Sequence, residues 1–243
     1  PAVNAARGLA DQVNGAVARF VNNFQTAVNP QLVKSYAADQ LDDMKKLLYR
    51  GIRFSYYLLL VLSMPLILNM DFILHVWLKD VPEYATGFCQ LVLICGMVSS
   101  VSNLLSQVAR AYGKIRKYQM WVSACLFLNF PLSYIVATML VNICIQAALL
   151  FVRLYLTKPM IGLSIIDFTR KVLFPIIKIT VISALLPCIC AYELHSGWIN
   201  FFIISAVSLV CSITCVLALG VNANERAYIK GMCRTALHKI KIG

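Results

Sequence analysis

Near the start of the chain, Asn4, Arg7, Asp11, Asn14, Ala18, Asn22, Gln25 and Asn29 recur at steps of three and four. That spacing sets them in a row along one face of a helix. The rest of the segment is mostly Ala, Val, Leu and Phe, so residues 3–28 read as a membrane-spanning helix with a polar row. Arg7, Arg19 and Asp11 at membrane depth each cost on the order of 2.5–3.5 kcal/mol on insertion scales. Such groups are tolerated when they face a bundle interior or a watery cavity. The row is therefore expected to line a path for something polar. Arg7 and Asp11 are spaced to pair, leaving Arg19 the less compensated charge. Amides offer hydrogen bonds to hydroxyls, and the planar guanidinium fork matches phosphate with two parallel charge-assisted bonds.

Two later segments carry weaker versions of the same pattern. Ser99, Asn103, Ser106 and Arg110 share one helical face, as do Asn142, Gln146 and Arg153. The competing reading is that these groups hydrogen-bond helices to one another. Arg110 and Arg153 then mark cytoplasmic helix ends, and Lys178 snorkels to the interface. No catalytic constellation accompanies them. The histidines are isolated, the ten acidic residues lie mostly in loops, and no carboxylate pair falls inside a span. Phosphate-cradling Gly loops and metal-ligand spacings are missing from the sequence. Cys188 with Cys190, and Cys211 with Cys215, sit in apolar runs and read as small buried hydrophobes. The expectation is a binding or transport protein without a cofactor, not an enzyme.

The elements that must position these residues follow from hydropathy. Hydrophobic residues make up 60% of the chain, charged residues 13%, and mean hydropathy is +0.76. Runs near the ~20 residues needed to cross about 30 Å of hydrocarbon cover about 3–28, 54–78, 85–109, 118–138, 140–157, 172–193 and 198–220. An all-α polytopic transmembrane helix bundle of about seven spans is expected. The net charge of +12 reflects topology and not nucleic-acid binding. Lys and Arg number 5, 1, 4, 0, 5, 0 and 5 in successive connections and the tail, a strict alternation. By the positive-inside rule the basic connections and the C-terminus are cytoplasmic, and the first span enters from outside. A chain opening at Pro1 directly inside a span is expected to belong to a longer protein.

Finer features complete the reading. Pro30 is expected to close the first helix. A short interfacial helix near 39–50, with Asp39 as N-cap, would lay Lys45, Lys46 and Arg50 on anionic headgroups. The tail resembles it, with Asn224 as a candidate cap. Trp77, Trp121, Trp198, Tyr84 and Tyr118 fall near span ends as interfacial anchors. Pro65, Pro131, Pro175 and Pro187 lie inside spans and are expected to kink them. Residues 118–157 hold two spans with almost no turn, placed near 138–142. The chain divides into five spans over 1–158, two additional spans over 159–220, and a basic cytoplasmic tail over 221–243.

The runs Asn4-Ala5-Ala6-Arg7-Gly8-Leu9-Ala10-Asp11-Gln12-Val13-Asn14 and Phe20-Val21-Asn22-Asn23-Phe24-Gln25-Thr26-Ala27-Val28-Asn29-Pro30-Gln31 resemble those of bacterial polysaccharide transporters. Lys34-Ser35-Tyr36-Ala37, Arg53-Phe54-Ser55 and Val81-Pro82-Glu83-Tyr84 extend the likeness. These are marks of the O-antigen flippase (Wzx-like) branch of the multidrug/oligosaccharidyl-lipid/polysaccharide exporter superfamily. The resemblance is strong over 1–120 and mainly hydropathic beyond. It implies a two-lobe exporter of about fourteen spans working by alternating access, of which this chain is the second-lobe part and lacks the N-terminal lobe. It further implies a bacterial inner-membrane location and a polyprenyl-diphosphate-linked oligosaccharide turned from the cytoplasmic to the periplasmic leaflet. Arg7 and Arg19 would then anchor the diphosphate, with Asn4, Asn14, Asn22 and Gln25 contacting sugar or water beside Asp11. The alternatives are a cation-coupled multidrug exporter of the same superfamily, for which Asp11 is the clear carboxylate, a membrane-embedded glycan-modifying enzyme, and a non-transporting scaffold fragment.

Overall fold

A computed structural model describes residues 2–78, 80–112, 115–135, 138–193 and 197–221, with the side chains of all of these except 2–4, 115, 117, 128–135 and 138–140. Among them there is no strand. The helices are α1 (Ala2–Ala37), α2 (Leu41–Leu68), α3 (Met70–Trp77), α4 (Ala85–Ala111), α5 (Ile115–Ile135), α6 (Thr138–Ile161), α7 (Ile165–Phe168), α8 (Phe174–Glu193) and α9 (Trp198–Cys215). A π-helical turn, Thr169–Leu173, joins α7 to α8 without a break, and another, Val216–Gly220, continues α9. The chain is thus the all-helical bundle that its hydropathy requires.

Among the described residues, five helical stretches are long and apolar enough to cross a membrane: 41–68, 85–111, 141–161, 165–193 and 198–220. The expected seven included two more. One corresponds to α1, which at 36 residues is about 54 Å long, ample in length but not among the five apolar stretches. The other corresponds to α5, of 21 residues, whose side chains are described only in part.

Three local expectations are corrected. Helix α1 does not end at Pro30 but runs through it to Ala37. It is closed by a Schellman motif: Gln40 N–H donates to Ser35 O and Asp39 N–H to Tyr36 O, both at 3.0 Å. Asp39 is the left-handed residue of that motif, at φ 56°, not the cap of the next helix. Nor is 39–50 a separate interfacial helix, because Leu41 begins one uninterrupted α2 that carries Lys45, Lys46 and Arg50 on its first turns. Residues 138–142 are not a turn, since α6 is helical from Thr138.

Helix α1 packs on α4 and α2, α4 also packs on α6, and α2 on α8 and α9. The core holds Ala6, Ala10, Val17 and Val21 of α1 against buried residues such as Leu60, Leu93, Leu104 and Leu105. Polar bonds tie the layers. Tyr56 and Thr180 hydroxyls lie 2.8 Å apart between α2 and α8. Gln90 Nε2 donates to Ile67 O at 2.9 Å, and Asn69 Nδ2 to Ser205 Oγ at 3.3 Å. At one end, Phe72 of α3 meets Trp198 edge-on at 5.2 Å. Trp77, Trp121, Trp198 and Tyr84 are exposed, as interfacial anchors must be, but Tyr118 is buried at 3% and joins a small core with Val122 and Leu149. The residues of the expected tail helix, including Asn224, lie outside the described residues.

Candidate functional site

The polar row of α1 splits along its edge. Its buried side is apolar: Ala6, Ala10, Val17, Val21 and Leu32 follow one another at helical spacing and pack into the core. Where the row borders that side, its amides are used internally. Gln25 is 6% exposed and its Nε2 donates to Ser100 O of α4 at 3.2 Å. Asn14 is half-buried, and its Oδ1 lies 2.8 Å from where a Cβ on Gly96 would stand. Glycine at 96 is what permits α1 and α4 to approach there, the small-residue packing common between membrane helices.

Away from α4 the same helix presents charge. Arg7, Asp11, Arg19 and Asn22 are all exposed. Arg7 and Asp11 do not pair: neither enters an ion pair among the described residues. Arg19 lies off the row, about 120° around the helix from Arg7 at 100° per residue. The two guanidiniums therefore point in different directions from one helix, while Arg7, Asp11 and Asn22 stay within about 60° of one another. The Asn4 side chain lies outside the described residues. Chemically, α1 offers a guanidinium, a carboxylate and an amide over about 22 Å of rise, with a second guanidinium to the side.

The other two rows behave differently. In α4 the serines bond back into their own helix: Ser99 Oγ to Gly96 O, Ser100 Oγ to Met97 O, Ser102 Oγ to Ser99 O and Ser106 Oγ to Asn103 O, at 2.6–3.1 Å. Their donors are satisfied locally and are not offered to a ligand. In α6, Arg153 is not a helix-end residue. It sits eight residues before Ile161, and one terminal nitrogen donates to both Ser102 O (3.2 Å) and Ser102 Oγ (3.1 Å) of α4. Thr157, one turn on, is fully buried and donates back to Arg153 O. Arg153 is thus an interhelical clamp that its sequence position near Lys158 disguised. A small residue on α4 facing an arginine on α6 was the available signal.

Groups of three or more metal-ligating side chains do not occur among the described residues. The described cysteines are all free thiols.

No curated protein and no solved structure matched the chain. A family match covers residues 3–135, which takes in α1 with its polar row and every helix through α5. With more than half of its length matched, a bundle of apolar helices and a charged leading helix, the chain belongs to the MatE family of membrane exporters, within the multidrug/oligosaccharidyl-lipid/polysaccharide exporter superfamily.

Proposed function

We propose that this chain is the second lobe of a flippase that moves polyprenyl-diphosphate-linked oligosaccharide from the cytoplasmic to the periplasmic leaflet by alternating access. One observation carries the proposal. The helix α1 packs its apolar side inward and turns Arg7, Asp11, Arg19 and Asn22 outward. A surface of that kind is incompatible with hydrocarbon and fits a watery path shared with a first lobe. Arg7 and Arg19, which point in different directions, would hold the diphosphate in turn and not together, each through its fork, and Asn22 would contact sugar hydroxyls. Gln25 and Asn14, engaged with α4, would set the depth of the helix instead of touching cargo.

The test uses the full-length protein in cells lacking their own flippase. Lipid-linked oligosaccharide is measured in the inner and outer leaflets with Arg7 and Arg19 intact and then as alanines. Inner-leaflet accumulation in the alanine form, at unchanged membrane expression, is expected. Equal distribution in both forms would remove the arginines from the cargo path.

Asp11 favours a second reading. An exposed carboxylate that Arg7 does not neutralise suits a cation-coupled multidrug exporter of the same superfamily. Under that reading Asp11→Asn abolishes resistance to cationic dyes, whereas the flippase reading leaves dye resistance unchanged.

A further inference from the structure

A cavity of about 760 Å³ lies between the first turns of α2 and the α7–π-turn segment. Its basic lining is Lys45, Lys46, Arg50, Arg53, Arg170 and Lys171, against the carboxylates of Asp42 and Asp167. Three lysines are partly neutralised: Lys45 by Asp42 at 3.4 Å, Lys46 by Asp43 at 2.9 Å and Lys171 by Asp167 at 3.8 Å. Arg170 forms no ion pair among the described residues. The cavity keeps a clear excess of positive charge.

Its surroundings give the class of ligand. Gly162 and Ser164 line this cavity and also a second hollow of about 820 Å³ whose walls are mostly apolar, among them Leu156, Leu163, Ile165 and Ile166, with Lys158 as its one charged residue. Arg170 lines the basic cavity and also a third hollow, walled by Ile165, Ile166 and Phe174. Ile166 is 79% exposed and Phe174 65%. One short segment therefore presents cations on one side and unburied apolar side chains on the other. The turn that makes this possible is Gly162, whose φ of +61° is a left-handed conformation that other residues seldom adopt. The π-helical turn Thr169–Leu173 then carries Arg170 and Lys171; such turns recur at functional sites.

Depth agrees with this. Helix α2 has 28 residues and the stretch 165–193 has 29, against ~20 needed to span hydrocarbon. Their basic first turns thus extend into the headgroup region, on the side the charge alternation assigns to the cytoplasm.

We propose that this cavity binds the headgroup of an anionic phospholipid of the cytoplasmic leaflet, with its acyl chains along Ile165, Ile166 and Phe174. The phosphate sits between Arg170 and the basic turns of α2, and the lipid bridges α2 to α7. The site is separate from the polar row of α1 and does not depend on the cargo. A free phosphate would use the cations but leave the apolar hollows empty, which is why the amphiphile fits better.

The test is lipid retention by the full-length protein, purified from nanodiscs of phosphatidylcholine doped with phosphatidylglycerol and read by native mass spectrometry. Preferential retention of phosphatidylglycerol is expected, with about 30-fold weaker binding in the Arg170→Gln/Lys171→Gln double variant, from two lost basic contributions at a charged membrane. Arg116→Gln on α5, an equal exposed charge outside the cavity, leaves retention unchanged. Ile166→Gln weakens phosphatidylglycerol but not water-soluble glycerophosphoglycerol. All three variants change exposed side chains, so folding is preserved and is checked by melting temperature. Equal retention of both lipids, or an equal loss in Arg116→Gln, overturns the site. Complete displacement of the lipid by inorganic phosphate at comparable concentration overturns the lipid assignment.

Discussion

Helices α1 and α9 are opposites. In α9 the buried positions are Ile204, Ser208 and Ser212, one turn apart, while Ile199, Phe202 and Val210 are exposed. Small polar groups face the bundle and bulky apolar groups face out, which suits lipid. In α1 the arrangement reverses: Ala and Val go in, and Arg7, Asp11, Arg19 and Asn22 go out. The hydrophobic effect gives no inward drive for α9, since lipid is as apolar as its side chains. For α1 it does, provided the outer side is wet. The same bundle thus has one wall built for hydrocarbon and one built against it.

Charge insertion is the largest way to break this contrast. Val210→Arg, at the middle of α9 and 65% exposed, is expected to cost about 2.5–3.5 kcal/mol of insertion. Ala16→Arg on the exposed side of α1 should cost far less. Membrane-integrated full-length protein is the readout, and similar losses for the two would erase the distinction between the walls.

A smaller effect sharpens the inner side of α1. Gly96→Leu drives a side chain into Asn14 and is expected to destabilise by about 1–3 kcal/mol. Asn14→Ala in the same protein should recover part of that loss, because the two positions touch. A purely additive double variant, read by melting temperature, would mean α1 and α4 are not seated as described.

The smallest expected change is Gln25→Leu. The bond to Ser100 O belongs to a class averaging about 0.6 kcal/mol in membranes. Stability should fall by about that much and leaflet transfer should be unaffected. Transfer lost at normal stability would move Gln25 from the packing edge to the cargo path.

Much of the architecture was legible because length and hydropathy dictate spans: α4 and α9 fall close to the residues their apolar runs marked. Boundaries that depend on a single bond were not. Asp39 is as good an N-cap as it is a left-handed C-terminal residue, and only the Gln40 to Ser35 bond decides between them. The polar period of α1 was visible, but periodicity does not say which edge of a row meets a neighbour, so Gln25 and Arg7 looked alike. Arg153 was misread because its partner, Ser102, is 51 residues away. The basic lining at α2 and α7 was read as two separate topology signals, since its halves meet only in the fold.

Pro30 bears on how such a wall moves. Its ring nitrogen has no hydrogen to give the Thr26 carbonyl, so the ladder of α1 lacks one rung just beyond the Gln25 anchor. A rod is most compliant where a rung is missing. Arg7, Asp11, Arg19 and Asn22 all precede that joint, so a small bend there would carry Arg7, the farthest of them, through the longest arc.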